Sequence, residues 1–316
     1  MAANTRIIFF GTPEFAVHCL EALVAAQQNI VAVVTAPDRK AGRGKKWRSS
    51  AVCLAAKAHG LPVLQPENLK APEFLAALRA YDPTLMVVVA FRMLPKQVWS
   101  IPKKGCFNLH ASLLPHYRGA APINWAIING ETETGLTTFL IDEKIDTGQI
   151  LLQEKIPLDP QTTAGSLHDT LATQGGTLIL KTIETLETQS RTPQAQPLTG
   201  NFKLAPKLTK ENTRIRWEQE LPKIEALIRG LSPYPGAWTT AITATEEFSF
   251  KIFKAKILLE NHHHETGTLV VADKKIQIAH PSGWLLCEEL HLPNKRRMTA
   301  LELLNGYEFD VKTRVK

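Results

Sequence analysis

Paired cysteines are missing from this chain. Its four, Cys19, Cys53, Cys106 and Cys287, stand far apart, which argues against a disulfide framework and a cysteine-rich zinc site and points to a reducing compartment. Long hydrophobic runs are missing too. No stretch reaches the roughly 18 apolar residues of a membrane span, and Ile7-Ile8-Phe9-Phe10, which runs into Gly11-Thr12-Pro13, is too short for the apolar part of a signal peptide. The expectation is a cytoplasmic protein with no membrane segment. Glycine is sparse where nucleotide binding would need it: the first turn, Gly11-Thr12-Pro13-Glu14, has one glycine, and no Gly-Lys-Ser/Thr loop occurs. Neither NAD nor ATP binding is supported. No repeat or heptad pattern is visible, and no ligand set has metal spacing, so no metal is expected. The triplet His262-His263-His264 lies in a polar segment before Gly267 and reads as a solvated loop.

The remainder is ordinary globular composition, 44% hydrophobic and 21% charged over 316 residues, enough for about two domains. Apolar, β-branched segments at Arg6–Phe10, Ile30–Thr35, Leu85–Ala90 and Cys106–His110 alternate with helical patterns at Glu14–Gln27, Ser49–His59 and Pro72–Ala80. This βαβα order predicts an α/β fold, a doubly wound, mostly parallel, Rossmann-like sheet with helices on both faces. Two more strands, Thr137–Ile141 and Ile150–Ile156, and a long helix, Ala164–Thr188, complete a domain spanning 1–189. Residues 190–208 read as a linker, because Ser190–Pro206 holds three prolines, a glycine and little apolar periodicity. Over 209–316, a helix at Leu221–Leu231 and strands at Ala237–Ile242, Phe248–Leu259, Thr268–Val271, Lys275–His280 and Trp284–His291 predict a small C-terminal, OB-like β-barrel.

Charge is concentrated. The formal net charge is +7 with a pI near 9.2, and Asp38–Arg48 carries six basic residues, Arg39, Lys40, Arg43, Lys45, Lys46 and Arg48, against one acid. The second domain is nearly balanced, with 16 basic and 14 acidic residues from Thr209 to Lys316. A polyanionic partner would meet the first domain. There Gly42 and Gly44 keep the loop flexible, and Trp47 is available to stack on a base or to lie against the body.

Chemistry gathers at Asn108-Leu109-His110-Ala111-Ser112-Leu113-Leu114-Pro115 and at Asp146 in Ile145-Asp146-Thr147-Gly148. Asn108 and His110 are two apart at the end of an apolar strand, so both leave the same face, at the carboxyl edge where ligands bind in such sheets. Burying both unpaired would cost about 1–3 kcal/mol each. An amide can donate to a developing oxyanion, an imidazole can move protons near neutral pH, and a carboxylate can orient it. These are the groups needed for acyl or formyl transfer to an amine.

The elements Phe10–Phe15, Pro37–Lys46, Asn108–Pro115, Tyr117-Arg118-Gly119-Ala120-Ala121-Pro122-Ile123 and Asp146-Thr147-Gly148, in that order, closely resemble the methionyl-tRNA formyltransferase family, nearly end to end. The resemblance implies transfer of a formyl group from 10-formyltetrahydrofolate to the methionine amine of charged initiator tRNA. It implies catalytic roles for Asn108, His110 and Asp146, a folate-contacting segment at Ser112, Leu113, Leu114 and Pro115, and tRNA contact by the Asp38–Arg48 loop with assistance from the barrel. A monomer is expected. One step departs from the family: in Ala90-Phe91-Arg92-Met93-Leu94-Pro95, Arg92 stands where a glycine is usual and the turn is one residue shorter. Two alternatives remain open at this point. A folate-dependent formyltransferase acting on glycinamide ribonucleotide or an amino sugar nucleotide would share the triplet without needing the basic loop. A non-catalytic RNA-binding relative would need the loop without the triplet.

Overall fold

A computed structural model describes residues 5–41, 46–197 and 199–316. It contains two compact units. One gathers Met1–Gly119, Glu133–Pro157 and His168–Leu204; the other gathers Ala120–Thr132, Leu158–Leu167 and Ala205–Lys316. Two short segments that precede residue 189 in the sequence thus belong with the second unit. No helix among the described residues is long and apolar enough to cross a membrane.

In the first unit, β1 (Ile7–Gly11) leads through α1 (Glu14–Ala25) to β2 (Ile30–Val34). A ribbon of β3 (Arg39–Ala41) and β4 (Lys46–Arg48) precedes α2 (Ala51–Ala58), whose N-cap Ser50 accepts from Cys53 N at 3.0 Å. The edge strand β5 (Val63–Leu64), α3 (Pro72–Ala80), β6 (Leu85–Val89), the single turn α4 (Lys96–Trp99) and β7 (Cys106–His110) follow. After β8 (Arg118–Gly119) the chain passes through α5 (Pro122–Ile128), which belongs to the second unit; β9 (Glu133–Leu140) and β10 (Ile150–Pro157) then form a hairpin of the first, and α6 (Ala164–Thr188), which belongs to it from His168 on, comes next.

The order across the sheet is β10-β9-β7-β6-β1-β2-β5. Strands β5, β2, β1, β6 and β7 are parallel, and the β9–β10 hairpin is added antiparallel to β7. Ile7, Ile8, Phe9 and Phe10 are all fully buried, the pattern of a central strand covered by helices on both faces. Strand order reverses between β1 and β6, so a crevice opens beyond their carboxyl ends, beside the end of β7 that carries His110. The segment read as a linker is fastened along this unit: Gln194 exchanges backbone hydrogen bonds with Ile150 at 2.7 and 2.8 Å, and Tyr117 N donates to Lys203 O at 2.6 Å.

The second unit begins with the end of β11 (Leu204–Ala205) and continues through α7 (Leu221–Gly230), β12 (Ala237–Ile242), β13 (Glu247–Leu258), β14 (Leu269–Ala272), β15 (Lys275–His280), β16 (Gly283–His291), β17 (Met298–Thr299), α8 (Ala300–Leu304) and β18 (Arg314–Val315). The strand order β14-β15-β16-β13-β12-β18 curls into a nearly closed antiparallel barrel. Val315 N donates to Gly267 O at 2.8 Å and Leu269 N to Thr313 O at 3.0 Å, joining the last strand to the approach of β14. Gly267 has φ +85, and a Cβ there would lie 2.4 Å from Val315 O, so this closure requires glycine. Ile224, Ile228 and Leu231, on and just after α7, share one core with Phe250, Ile252, Ile278, Leu285 and Leu290 of the strands. Near the barrel surface, the His262 ring lies 4.2 Å from the Trp284 ring, and its Nε2 contacts the carbonyls of His280 and Gly283 at 2.9 and 2.8 Å. The solvated-loop reading describes His263 and His264, which are exposed, but not His262.

Candidate active site

The alternation of Cys106–His110 puts Phe107 and Leu109 on one face of β7 and Asn108 and His110 on the other. Pairing with β9 sets Asn108 opposite Phe139 and His110 opposite Thr137. His110 is 6% exposed. Its Nε2 lies 2.8 Å from Tyr117 O, and a carbonyl can only accept, so Nε2 carries a hydrogen. Nδ1 is therefore the nitrogen left to take up or release a proton. The Asn108 side chain is half-buried and makes no hydrogen bond among the described residues, which leaves its amide uncommitted.

The β9–β10 loop leaves the sheet past Leu140, opposite Phe107 near the start of β7, and brings Asp146 back toward His110. Asp146 Oδ2 accepts from Gly119 N at 2.9 Å and lies 3.9 Å from His110 Nδ1. The second distance is an ion-pair separation rather than a hydrogen bond. Asp146 has φ +56, a left-handed conformation that costs a non-glycine residue about 1–2 kcal/mol. Two residues on, a Cβ at Gly148 would come 1.6 Å from Leu140 O, so glycine at 148 is a steric requirement of this loop. The backbone carbonyls of Asp146 and Gly148 accept from Gln196 Nε2 at 3.1 and 2.7 Å.

The four residues expected to contact folate divide into two kinds. Ser112 is fully buried and its hydroxyl donates to His116 O at 2.8 Å. Leu114 is 3% exposed; its N donates to Thr137 Oγ1 at 3.2 Å and its O accepts from Gln153 Nε2 at 2.9 Å. Leu113 and Pro115 are half-buried and leave apolar surface available. Ser112 and Leu114 hold the segment; Leu113 and Pro115 remain free to meet a ligand.

The basic segment forms an antiparallel ribbon instead of a plain loop, with Arg39 opposite Arg48, Lys40 opposite Trp47 and Ala41 opposite Lys46. Arg43 and Lys45, together with Gly42 and Gly44, lie outside the described residues. Trp47 is 68% exposed, with Lys40 Nζ 5.6 Å from its ring, so it does not lie against the body of the domain. At the entrance to the segment, the Gln65 side chain donates to Asp38 Oδ1 at 2.7 Å and holds that carboxyl below the usual carboxylate range. The departing residue Arg92 is exposed and donates to the carbonyls of Pro66 and Glu67, beyond β5. Among the described residues, no group of three or more His, Cys, Asp or Glu converges as a metal site would need.

Two residues of the site carried no signal of their own in the sequence. Gly119 acts through its backbone N–H, and Gln196 lies in a stretch without periodicity; Gly119 could have been suspected only as part of the Tyr117–Ile123 motif.

Comparison with known families assigns the class first. A formyl transferase family model matches residues 5–183, and one for the formyl transferase C-terminal domain matches residues 207–308. Fold neighbours agree. HypX from Aquifex aeolicus in complex with tetrahydrofolic acid superposes with a TM-score of 0.64 at 17% identity, covering 96% of this chain and 47% of that one. An N-formyltransferase from Helicobacter canadensis, in complex with folinic acid and dTDP-3-aminofucose, gives 0.63 at 20% identity, covering 90% and 98%. At these identities the likeness is one of fold. Sequence relatives narrow the class. The chain is 50% identical over 310 residues to the methionyl-tRNA formyltransferase of Flavobacterium johnsoniae, covering 98% of both. It is 46% identical over 309 residues to that of Bacteroides thetaiotaomicron, covering 96% of both. The chain belongs to the methionyl-tRNA formyltransferase family.

Proposed function

We propose that this chain transfers the formyl group of 10-formyltetrahydrofolate to the amino group of methionine on initiator tRNA. The observation that carries the reading is half identity to methionyl-tRNA formyltransferases across both units. The uncommitted Asn108 amide beside the available Nδ1 of His110 supports it. Bound folate supplies an activated formyl carbon. The attacking amine forms a new C–N bond to that carbon, the bond to the folate nitrogen breaks, and the proton lost by the amine must reach that nitrogen. Asn108 donates to the formyl oxygen as it gains negative charge. His110 Nδ1 carries the proton, while Nε2–H stays anchored on Tyr117 O. Asp146, at ion-pair distance, faces the nitrogen that carries the proton.

Leu113 and Pro115 border the folate with apolar surface, and Ser112 and Leu114 position them. Arg39, Lys40, Lys46 and Arg48, with Arg43 and Lys45, contact the phosphates of the tRNA acceptor end. The facing Arg39 and Arg48 support this assignment, because like charges across a ribbon repel until a polyanion arrives. The test is formyl transfer from 10-formyltetrahydrofolate to methionyl initiator tRNA, glycinamide ribonucleotide and an amino sugar nucleotide at low and moderate salt. Salt-sensitive formylation of the tRNA alone is expected; preference for either small amine would sink the proposal.

A further inference from the structure

Tyr117, Arg118 and Gly119 are consecutive, and both titratable groups of the site hang from their backbone. The Tyr117 carbonyl holds His110 Nε2–H, and Gly119 N–H holds Asp146 Oδ2. Between them, the Arg118 side chain donates through Nε and Nη2 to Gln196 Oε1, at 3.2 and 2.6 Å, and through Nη2 to Pro197 O at 3.3 Å. The Gln196 amide uses its other end on the Asp146 loop, donating to the carbonyls of Asp146 and Gly148 at 3.1 and 2.7 Å. Gln196 is 5% exposed, so these bonds form with little competition from water. A closed ring results from Arg118, Gln196, Asp146 and Gly119, with His110 joined to it through Tyr117.

We propose that Gln196 is a positioning residue that sets the separation between the Asp146 carboxylate and His110 Nδ1. The inference rests on the roles assigned above to His110 and Asp146. Among the described residues the carboxylate accepts a hydrogen bond from Gly119 N–H alone, and its backbone is held in a left-handed conformation that L-residues seldom keep without support. Gln196 provides that support, because an amide alone offers two N–H donors for the loop carbonyls and an oxygen for the guanidinium. Methionine at 196 has similar length and offers no N–H donor. Glutamate keeps a partner for Arg118 but turns an acceptor toward two carbonyl oxygens.

The experiment is steady-state formylation by full-length Gln196→Met, with folding checked by circular dichroism and kcat and KM measured separately. Expected is a fall in kcat of about ten- to a hundredfold, with KM for both substrates within about twofold of wild type. A merely structural role would raise KM together with the fall in kcat. A folded Gln196→Met with wild-type kcat, or with kcat and KM impaired together, overturns the proposal. Should Gln196→Met fail to fold, Gln196→Glu makes the same decision: lower kcat at unchanged KM supports the clamp, and wild-type kcat overturns it. His110→Ala assayed in parallel separates the two failures. Full activity there removes the catalytic reading, whereas its loss alongside a wild-type Gln196→Met removes the clamp alone.

Discussion

The carboxyl end of β7 and the β3–β4 ribbon are both polar, but they hold their polar groups in opposite ways. At β7, buried His110 and half-buried Asp146 are held by backbone partners that fix orientation, through Tyr117 O and Gly119 N, while Asn108 and Nδ1 are left open. In the ribbon, Arg39 faces Arg48, Trp47 is bare to solvent, and none of Arg39, Lys40, Lys46 and Arg48 pairs with an acid among the described residues. In the proposed reaction the first arrangement is preorganised: His110 and Asp146 are fixed by backbone partners before substrate arrives, so little reorganisation is needed. The second is unsatisfied, and its favourable energy appears only when phosphates displace counterions. Chemistry and affinity are thus built on different physical terms, and they should fail separately.

The largest effect should come from His110→Ala, with kcat lowered by about 10²–10⁴ while tRNA affinity, read by filter binding, stays near wild type. A parallel loss of affinity would break the contrast. Asn108→Ala removes one donor from the developing oxyanion and should lower kcat by about 10²–10³, again with affinity retained. Arg39→Ala combined with Arg48→Ala should do the reverse, raising KM for tRNA at moderate salt with kcat preserved at saturation. The slope of log affinity against log salt should become shallower by about 0.7 for each single-strand phosphate contact given up. An unchanged slope would remove these two arginines from the interface.

The smallest effect concerns the second unit, where a carboxylate stabilises a helix end. Glu302 accepts from Thr299 N at 2.9 Å in the capping box of α8 and pairs with Arg296 at 2.8 Å. The Thr299 backbone hydrogen bond leads in lowering its pKa to about 2. Because the folded-state value is depressed, its stabilisation is present above the usual carboxylate range and lost as pH falls through about 2. Glu302→Gln should therefore lower the melting temperature slightly at neutral pH, and the gap to wild type should close between pH 4.5 and about 2. A gap that does not change with pH would show that the charge contributes nothing.

Legibility in the sequence followed periodicity. Cys106–His110, Pro72–Ala80, Ala164–Thr188, Ala237–Ile242 and Lys275–His280 read directly from apolar spacing and have those bounds in the structure. The ribbon at Arg39–Arg48 did not, because its residues are basic on both faces and its pairing is cross-strand. The 190–208 segment also escaped. Its glutamines gave no apolar signal, yet Gln194 pairs with Ile150 and Gln196 holds the Asp146 loop. Polar side chains whose role is to bind distant backbone leave no period to detect.

By itself, the sequence determined the alternation of strands and helices, the placement of Asn108 and His110 on one face, and the concentration of positive charge in one short stretch. These follow from local chemistry: side-chain periodicity, steric preference and charge are written residue by residue. Only the tertiary structure decided which His110 nitrogen is available, that Leu113 and Pro115 rather than Ser112 and Leu114 keep exposed surface, and that Gln196 joins Arg118 to the Asp146 loop. Each depends on hydrogen bonds between residues far apart in the chain, whose partners are chosen by the geometry of the folded sheet.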